Sequence, residues 1–290
     1  MSVKAYVTDL DGTLLRPDQT LSAYTAEVAA RLQHSGAVFT YATARGYLSS
    51  SRVTGRIAWK HPIILYNGAL IYDGAAHKVV DGYWLDASVT NDIIAAGRKH
   101  GITPLLFTLN ELDREAVLHE PIRRPGERAF RQSRGDDPRF KELSELICPA
   151  DHRTLSITYI GLPEELQPLS EEVRAQWGDS VHCHFMKDYY IENHYFLEFS
   201  HSSANKREGL KLWAKHMDID VRDITVFGDQ LNDLGLFEAG GKKVAVSNAH
   251  PDIIARADYI TAGNGEDGVA QYLERELARL TRVIRKDEPG

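Results

Sequence analysis

Apolar residues fall into short blocks separated by amphipathic stretches, and the blocks at the two ends of the chain share one rhythm. Ala5-Tyr6-Val7-Thr8 is a β-prone run closed by the turn signal Asp11-Gly12. Tyr24, Val28 and Leu32 recur at helical spacing after Ser22, a suitable N-cap, and Gly36 ends that helix. Residues 37–42 read as a second buried strand, so the segment predicts a parallel strand pair with a right-handed helical crossover. The rhythm returns with a helix over 207–217, a buried strand at Ile224-Thr225-Val226-Phe227 and a short helix ending at Ala239. Strands at 243–246 and 259–260 follow, with a helix near Ile253 between them, then a helix from Gly268 to Ile284 and a mobile tail over 285–290.

The middle of the chain breaks this rhythm. Ile71-Tyr72-Asp73-Gly74 and Lys78-Val79-Val80 predict a hairpin leading out of the sheet. From 83 to 187 the order is helix, two strands, a polar stretch, then helix, strand, helix and strand. The polar stretch, 121–138, is rich in Arg, Pro and Gly and reads as an ordered loop or a mobile lid. The predicted fold is α/β: a doubly wound, mostly parallel sheet over 1–82 and 188–290, with an α/β cap domain inserted over 83–187.

Composition narrows the function. With 43% hydrophobic and 26% charged residues, the 290-residue chain has the balance of an ordinary globular protein. A net charge of -7 opposes general nucleic-acid binding, though it leaves room for a locally positive site for a small anion. No apolar run approaches the roughly 20 residues that span a membrane. Met1 to Val7 lacks the apolar run of a signal peptide, and the expectation is a cytoplasmic protein, monomeric or homodimeric. Cys148 and Cys183 are far apart and read as reduced thiols.

The chemistry gathers at strand ends. Asp9-Leu10-Asp11-Gly12-Thr13 closes the first strand, where ligands bind in open α/β sheets, and strand alternation turns Asp9 and Asp11 to one side. Two carboxylates so close repel unless a cation or a shared proton relieves them, and Mg²⁺ suits such oxygen ligands together with a substrate phosphate. Gly228-Asp229-Gln230-Leu231-Asn232-Asp233 adds two carboxylates at an equivalent strand end. Thr43, in Ala42-Thr43-Ala44-Arg45, sits at a third strand end, where its hydroxyl and the Ala44 N–H can hold a phosphate oxygen. Lys206 precedes a helix, and its ammonium and the helix N-terminus both attract anions.

These stations, in this order, resemble the haloacid dehalogenase-like superfamily. Asp9 to Thr13 matches its first motif, Thr43 its second, Lys206 its third, and Gly228-Asp229 through Asp233 its fourth. Asn67-Gly68-Ala69, Ser247-Asn248-Ala249 and Glu266-Asp267-Gly268-Val269-Ala270 are similar to recurring segments of its Cof-like phosphatase branch. Ala44 departs from the glycine usual there.

The resemblance implies a Mg²⁺-dependent phosphatase acting on a small phosphorylated metabolite. Asp9 would be the nucleophile, Asp11 the acid and base, and Thr43, Ala44 and Lys206 the phosphate-binding groups. Asp9, the Asp11 carbonyl and Asp229 would hold the metal, with Asp233 assisting. Asn232 would orient Lys206 or touch the phosphate. A phosphomutase using the same aspartyl-phosphate, and a non-enzymatic phospho-aspartate switch, are the alternatives. Two further groups stand out: His182-Cys183-His184, with both His on one strand face, and the arginines 123, 124, 128, 131 and 134, which read as a solvated loop or as substrate recognition.

Overall fold

The elements expected at both ends of the chain form in a computed structural model that describes residues 4–187 and 192–284. In chain order these are β1 (Ala5–Thr8), α1 (Ala23–His34), β2 (Val38–Tyr41), α2 (Tyr47–Thr54), β3 (Ile63–Leu65), β4 (Leu70–Asp73) and β5 (Lys78–Gly82). The middle holds α3 (Ala87–Lys99), β6 (Leu105–Leu109), β7 (Glu115–His119), α4 (Pro125–Ser133), β8 (Phe140–Glu142), β9 (Arg153–Gly161), α5 (Pro163–Trp177), β10 (Val181–Lys187) and β11 (Tyr195–His201). The chain closes with α6 (Lys206–Met217), β12 (Ile224–Gly228), α7 (Leu234–Ala239), β13 (Lys242–Val246), α8 (Pro251–Ile254), β14 (Tyr259–Thr261) and α9 (Gly268–Ile284). No helix among the described residues is long and apolar enough to cross a membrane. The expected tail over 285–290 lies outside the described residues.

The chain forms two compact units. The first joins the residues up to Gly82 with those from Asn205 onward. Its parallel sheet runs β14-β13-β12-β1-β2. The central strands are buried on both faces, which explains why β1, β2 and β12 read as near-continuous apolar runs. Ser22 caps α1 by accepting from the Thr25 N–H at 2.9 Å. An Ala42–Ile64 bridge leads to the antiparallel meander β3-β4-β5.

The second unit, Tyr83–Ala204, is built on a six-stranded sheet ordered β10-β11-β9-β6-β7-β8, antiparallel except for β7–β8. Ile93, Ile157, Tyr159, Leu169 and Phe199 belong to the core between α3, α5 and one sheet face.

Besides the short strand β8, which stands before β9 where a helix was expected, two features differ from the sequence expectation. The polar stretch 121–138 contains a helix, α4, with Pro125 in its first turn and Phe130 set edge-on to Phe196 at 5.8 Å. Three arginines of the stretch are engaged: Arg124 pairs with Glu165, Arg131 lies over Phe140 at 4.6 Å and Arg134 over Phe130 at 4.5 Å. The second difference is the return to the first unit, expected at 188 and found at Asn205. β11 pairs on both edges, with β10 and β9, and so belongs to the inserted sheet; residue 188 itself lies outside the described residues.

Candidate active site

Because β12, β1 and β2 are adjacent and parallel, their C-terminal ends lie side by side on one edge of the sheet. Asp9 directly follows β1, Asp229 directly follows β12, and Thr43 stands two residues beyond β2. The Asp9 N–H donates to the Phe227 carbonyl at 3.0 Å, carrying the ladder one residue past the strand. The chain then turns, with Leu15 N–H closing on the Leu10 carbonyl at 2.8 Å.

That turn explains two residue types in the first motif. Gly12 has φ +81°, and a Cβ there would overlap the Asp229 carboxylate, so both conformation and space require glycine. Thr13 Oγ1 donates to Asp229 Oδ1 at 2.7 Å. The first and fourth motifs are thus locked to each other as well as adjacent.

Lys206 opens α6, whose N-cap Asn205 accepts from the Glu208 N–H at 3.0 Å. Gly68 (φ +100°) admits the start of this helix, since a Cβ there would meet the Asn205 carbonyl. Lys206 is 1% exposed, and its Nζ donates to Asp9 Oδ1 at 2.5 Å and to Asp233 Oδ1 at 2.6 Å. The other oxygen of Asp233 accepts from the N–H groups of Asp229 (2.9 Å) and Gln230 (3.0 Å).

Two of three buried carboxylates, Asp9 and Asp233, therefore share one ammonium, and one oxygen from each of Asp9, Asp229 and Asp233 lies within 4.8 Å of the others. Burial, reinforced by the carboxylates of Asp233 and Asp229, holds the Asp9 carboxyl well above its usual range against the pull of Lys206. Burial likewise pushes Asp229 up to about 6, with Asp233 adding to the rise and the Thr13 hydrogen bond opposing it. A site with surplus buried negative charge and only hard oxygen donors fits a small divalent cation such as Mg²⁺.

The sign of the resulting pH dependence is fixed. Asp229 binds a proton more tightly folded than unfolded, so the metal-free protein loses this contribution to stability as pH rises from 3.8 through about 6. A cation must displace that proton. The Kd for Mg²⁺, measured by calorimetry, should fall about tenfold between roughly pH 5 and pH 7 from Asp229 alone. A Kd that does not change with pH would remove Asp229 as a ligand.

Thr43 is buried, its Oγ1 accepts from the Arg45 N–H at 3.2 Å, and Ala44 is exposed at the bend of that turn. The Asp11 side chain turns to Arg45, with Nε–Oδ2 at 2.7 Å and Nη2–Oδ1 at 2.5 Å. Asn232, expected to orient Lys206 or touch the phosphate, donates to Asn67 Oδ1 at 3.2 Å, while Lys206 is oriented by Asp9 and Asp233. His182 and His184 share a face with ring centroids 6.2 Å apart, and among the described residues they join no three-ligand group.

Sequence reasoning gave no role to three residues that shape this site. Thr13 was visible only as the last residue of the first motif, and Arg45 only as a neighbour of Thr43 and Ala44. Asn248 links three segments: its Nδ2 donates to the Gly12 carbonyl at 2.8 Å and its Oδ1 accepts from the Asn264 N–H at 2.8 Å. Its place in Ser247-Asn248-Ala249 was the available signal.

Residues 6–273 match the family model described as haloacid dehalogenase-like hydrolase. The pyridoxal phosphate phosphatase YbhA of Escherichia coli is 25% identical, covering 96% of this chain and 100% of its own length. The 5-amino-6-(5-phospho-D-ribitylamino)uracil phosphatase YitU of Bacillus subtilis is 30% identical over 94% of this chain and 98% of its own. The fold matches a haloacid dehalogenase-like hydrolase from Bacteroides thetaiotaomicron with a TM-score of 0.76 and 22% identity, covering 94% of this chain and 99% of that one. The chain belongs to the haloacid dehalogenase-like hydrolase family, in its Cof-like branch.

Proposed function

We infer that this phosphatase hydrolyses a small phosphomonoester with Mg²⁺ bound, through a phosphoryl intermediate on Asp9. The observation that carries the reading is the buried Lys206 bridge between Asp9 and Asp233, beside Asp229 at the strand ends. The ammonium holds one Asp9 oxygen and leaves the other to attack phosphorus in line. As the Asp9 oxygen–phosphorus bond forms, the ester oxygen–phosphorus bond breaks and Asp11 gives its proton to the leaving oxygen. Asp11 then takes a proton from the water that attacks phosphorus, and Asp9 is released as carboxylate.

Asp9, Asp229 and Asp233 would hold Mg²⁺, which when bound offsets their charge and that of the phosphoryl oxygens. Lys206 and the turn at Thr43 and Ala44 bind the other phosphoryl oxygens, where charge shifts in the transition state.

Relatives named for pyridoxal phosphate and for a ribitylamino-uracil phosphate support a small phosphorylated metabolite as substrate. Screening a panel of phosphomonoesters in ¹⁸O-labelled water should give Mg²⁺-dependent release of inorganic phosphate carrying the label. An isomeric phosphate ester formed without inorganic phosphate would make the protein a mutase instead.

A further inference from the structure

Arg45 grips the side chain to which the mechanism assigns proton transfer. Its guanidinium meets both Asp11 oxygens, at 2.7 and 2.5 Å, and Nη2 also donates to Gln19 Oε1 at 2.9 Å. With both oxygens engaged, neither is presented to a leaving group. The backbone of Arg45 is anchored on both sides: its N–H donates to Thr43 Oγ1 at 3.2 Å, and its carbonyl accepts from the Tyr66 N–H at 3.1 Å. The Asp11 side chain, by contrast, is 47% exposed, against 17% for Arg45. The acid is therefore the freer partner of the pair.

A guanidinium fork binds a carboxylate and a phosphoryl group with the same two-pronged geometry. Arg45 belongs to the same turn as Thr43, the expected phosphate-binding hydroxyl. We propose that Arg45 is a phosphoryl-binding residue that parks Asp11 in the free enzyme and exchanges it for the substrate's phosphoryl dianion on binding. The exchange releases Asp11 toward the leaving oxygen only when a phosphoryl group is present. The proposal rests on the acid–base role assigned to Asp11 above.

The test compares Arg45→Ala and Arg45→Lys with the parent protein, using p-nitrophenyl phosphate and an alkyl phosphate that the parent hydrolyses. Loss of a charge-assisted contact to the phosphoryl group should raise KM for both substrates roughly tenfold to a hundredfold. Inorganic phosphate should weaken as an inhibitor by a similar factor. The fall in kcat should be smaller than the rise in KM and similar for the two substrates, because Asp11 no longer needs release. Lysine keeps the charge without the fork and should fall between parent and alanine.

Two outcomes would overturn the proposal. One is unchanged KM and phosphate inhibition in a less heat-stable variant, which would make the pair structural only. The other is a kcat loss confined to the alkyl phosphate with KM unchanged, which would mean that Arg45 holds Asp11 in its working position. If Arg45→Ala fails to fold, Arg45→Lys and its phosphate inhibition constant decide the matter. Asp11→Asn separates this proposal from the assignment beneath it: undiminished alkyl-phosphate hydrolysis there would remove Asp11 as the acid, whatever Arg45 does.

Discussion

Replacing Asp9 with asparagine should lower kcat on the order of 10⁴-fold or more while the protein stays folded. The carboxamide is a poor nucleophile toward phosphorus and a weaker ligand for a hard cation. Its oxygen can still accept from Lys206, and one of three mutually repelling buried carboxylates disappears. Thermal unfolding should accordingly show a Tm near that of the parent, or above it without metal. An inactive variant with a collapsed Tm would attribute the loss to misfolding, and retained turnover would remove Asp9 as the attacking group.

Lys206→Ala has the second largest expected effect, and it acts on stability and rate together. The ammonium is fully buried between Asp9 and Asp233, and removing one partner of a buried ion pair costs about 3–5 kcal/mol. The carboxylates left behind relieve their repulsion by taking up protons. The destabilisation should therefore be greatest at neutral pH and shrink as pH falls, with Mg²⁺ restoring part of it. In catalysis, kcat should drop by about 10²–10³ with a smaller change in KM, because charge on the phosphoryl oxygens shifts most in the transition state. A change in KM alone would reduce Lys206 to ground-state binding.

What was legible in the sequence is what local chemistry dictates. β1, β2 and β12 are buried on both faces, so they announce themselves as apolar runs, and a polar residue at the end of such a run marks the sheet edge. Asp9, Thr43 and Asp229 could be placed on that edge from this alone. Gly12 was readable as a turn, whereas its second reason, the Asp229 carboxylate lying against it, is a contact across more than two hundred residues. α4 was hidden because its sequence opens on Pro and Gly and is largely polar, and Phe130 alone supplies a large aromatic anchor. The edge between the two units was misjudged at β11 because alternation shows that a segment is a strand without showing which sheet it joins. Asn232 and Arg45 lie beyond a sequence reading for a related reason: both are flanked by motif residues, and only tertiary structure decides that one meets Asn67 and the other Asp11.

The central claim is that the phosphoryl group passes through Asp9, and it can be tested by catching it there. Asp11→Asn lacks the base for the second step, while p-nitrophenolate leaves with little need of an acid in the first. Acid-quenched mixtures of this variant with Mg²⁺ and p-nitrophenyl phosphate should yield, on peptide mass spectrometry, a phosphoryl group on the peptide carrying Asp9. It should build up in step with an initial burst of p-nitrophenolate and be absent from the Asp9→Asn, Asp11→Asn double variant. A burst with no phosphoryl group on that peptide, or with the group on another residue, would contradict the account.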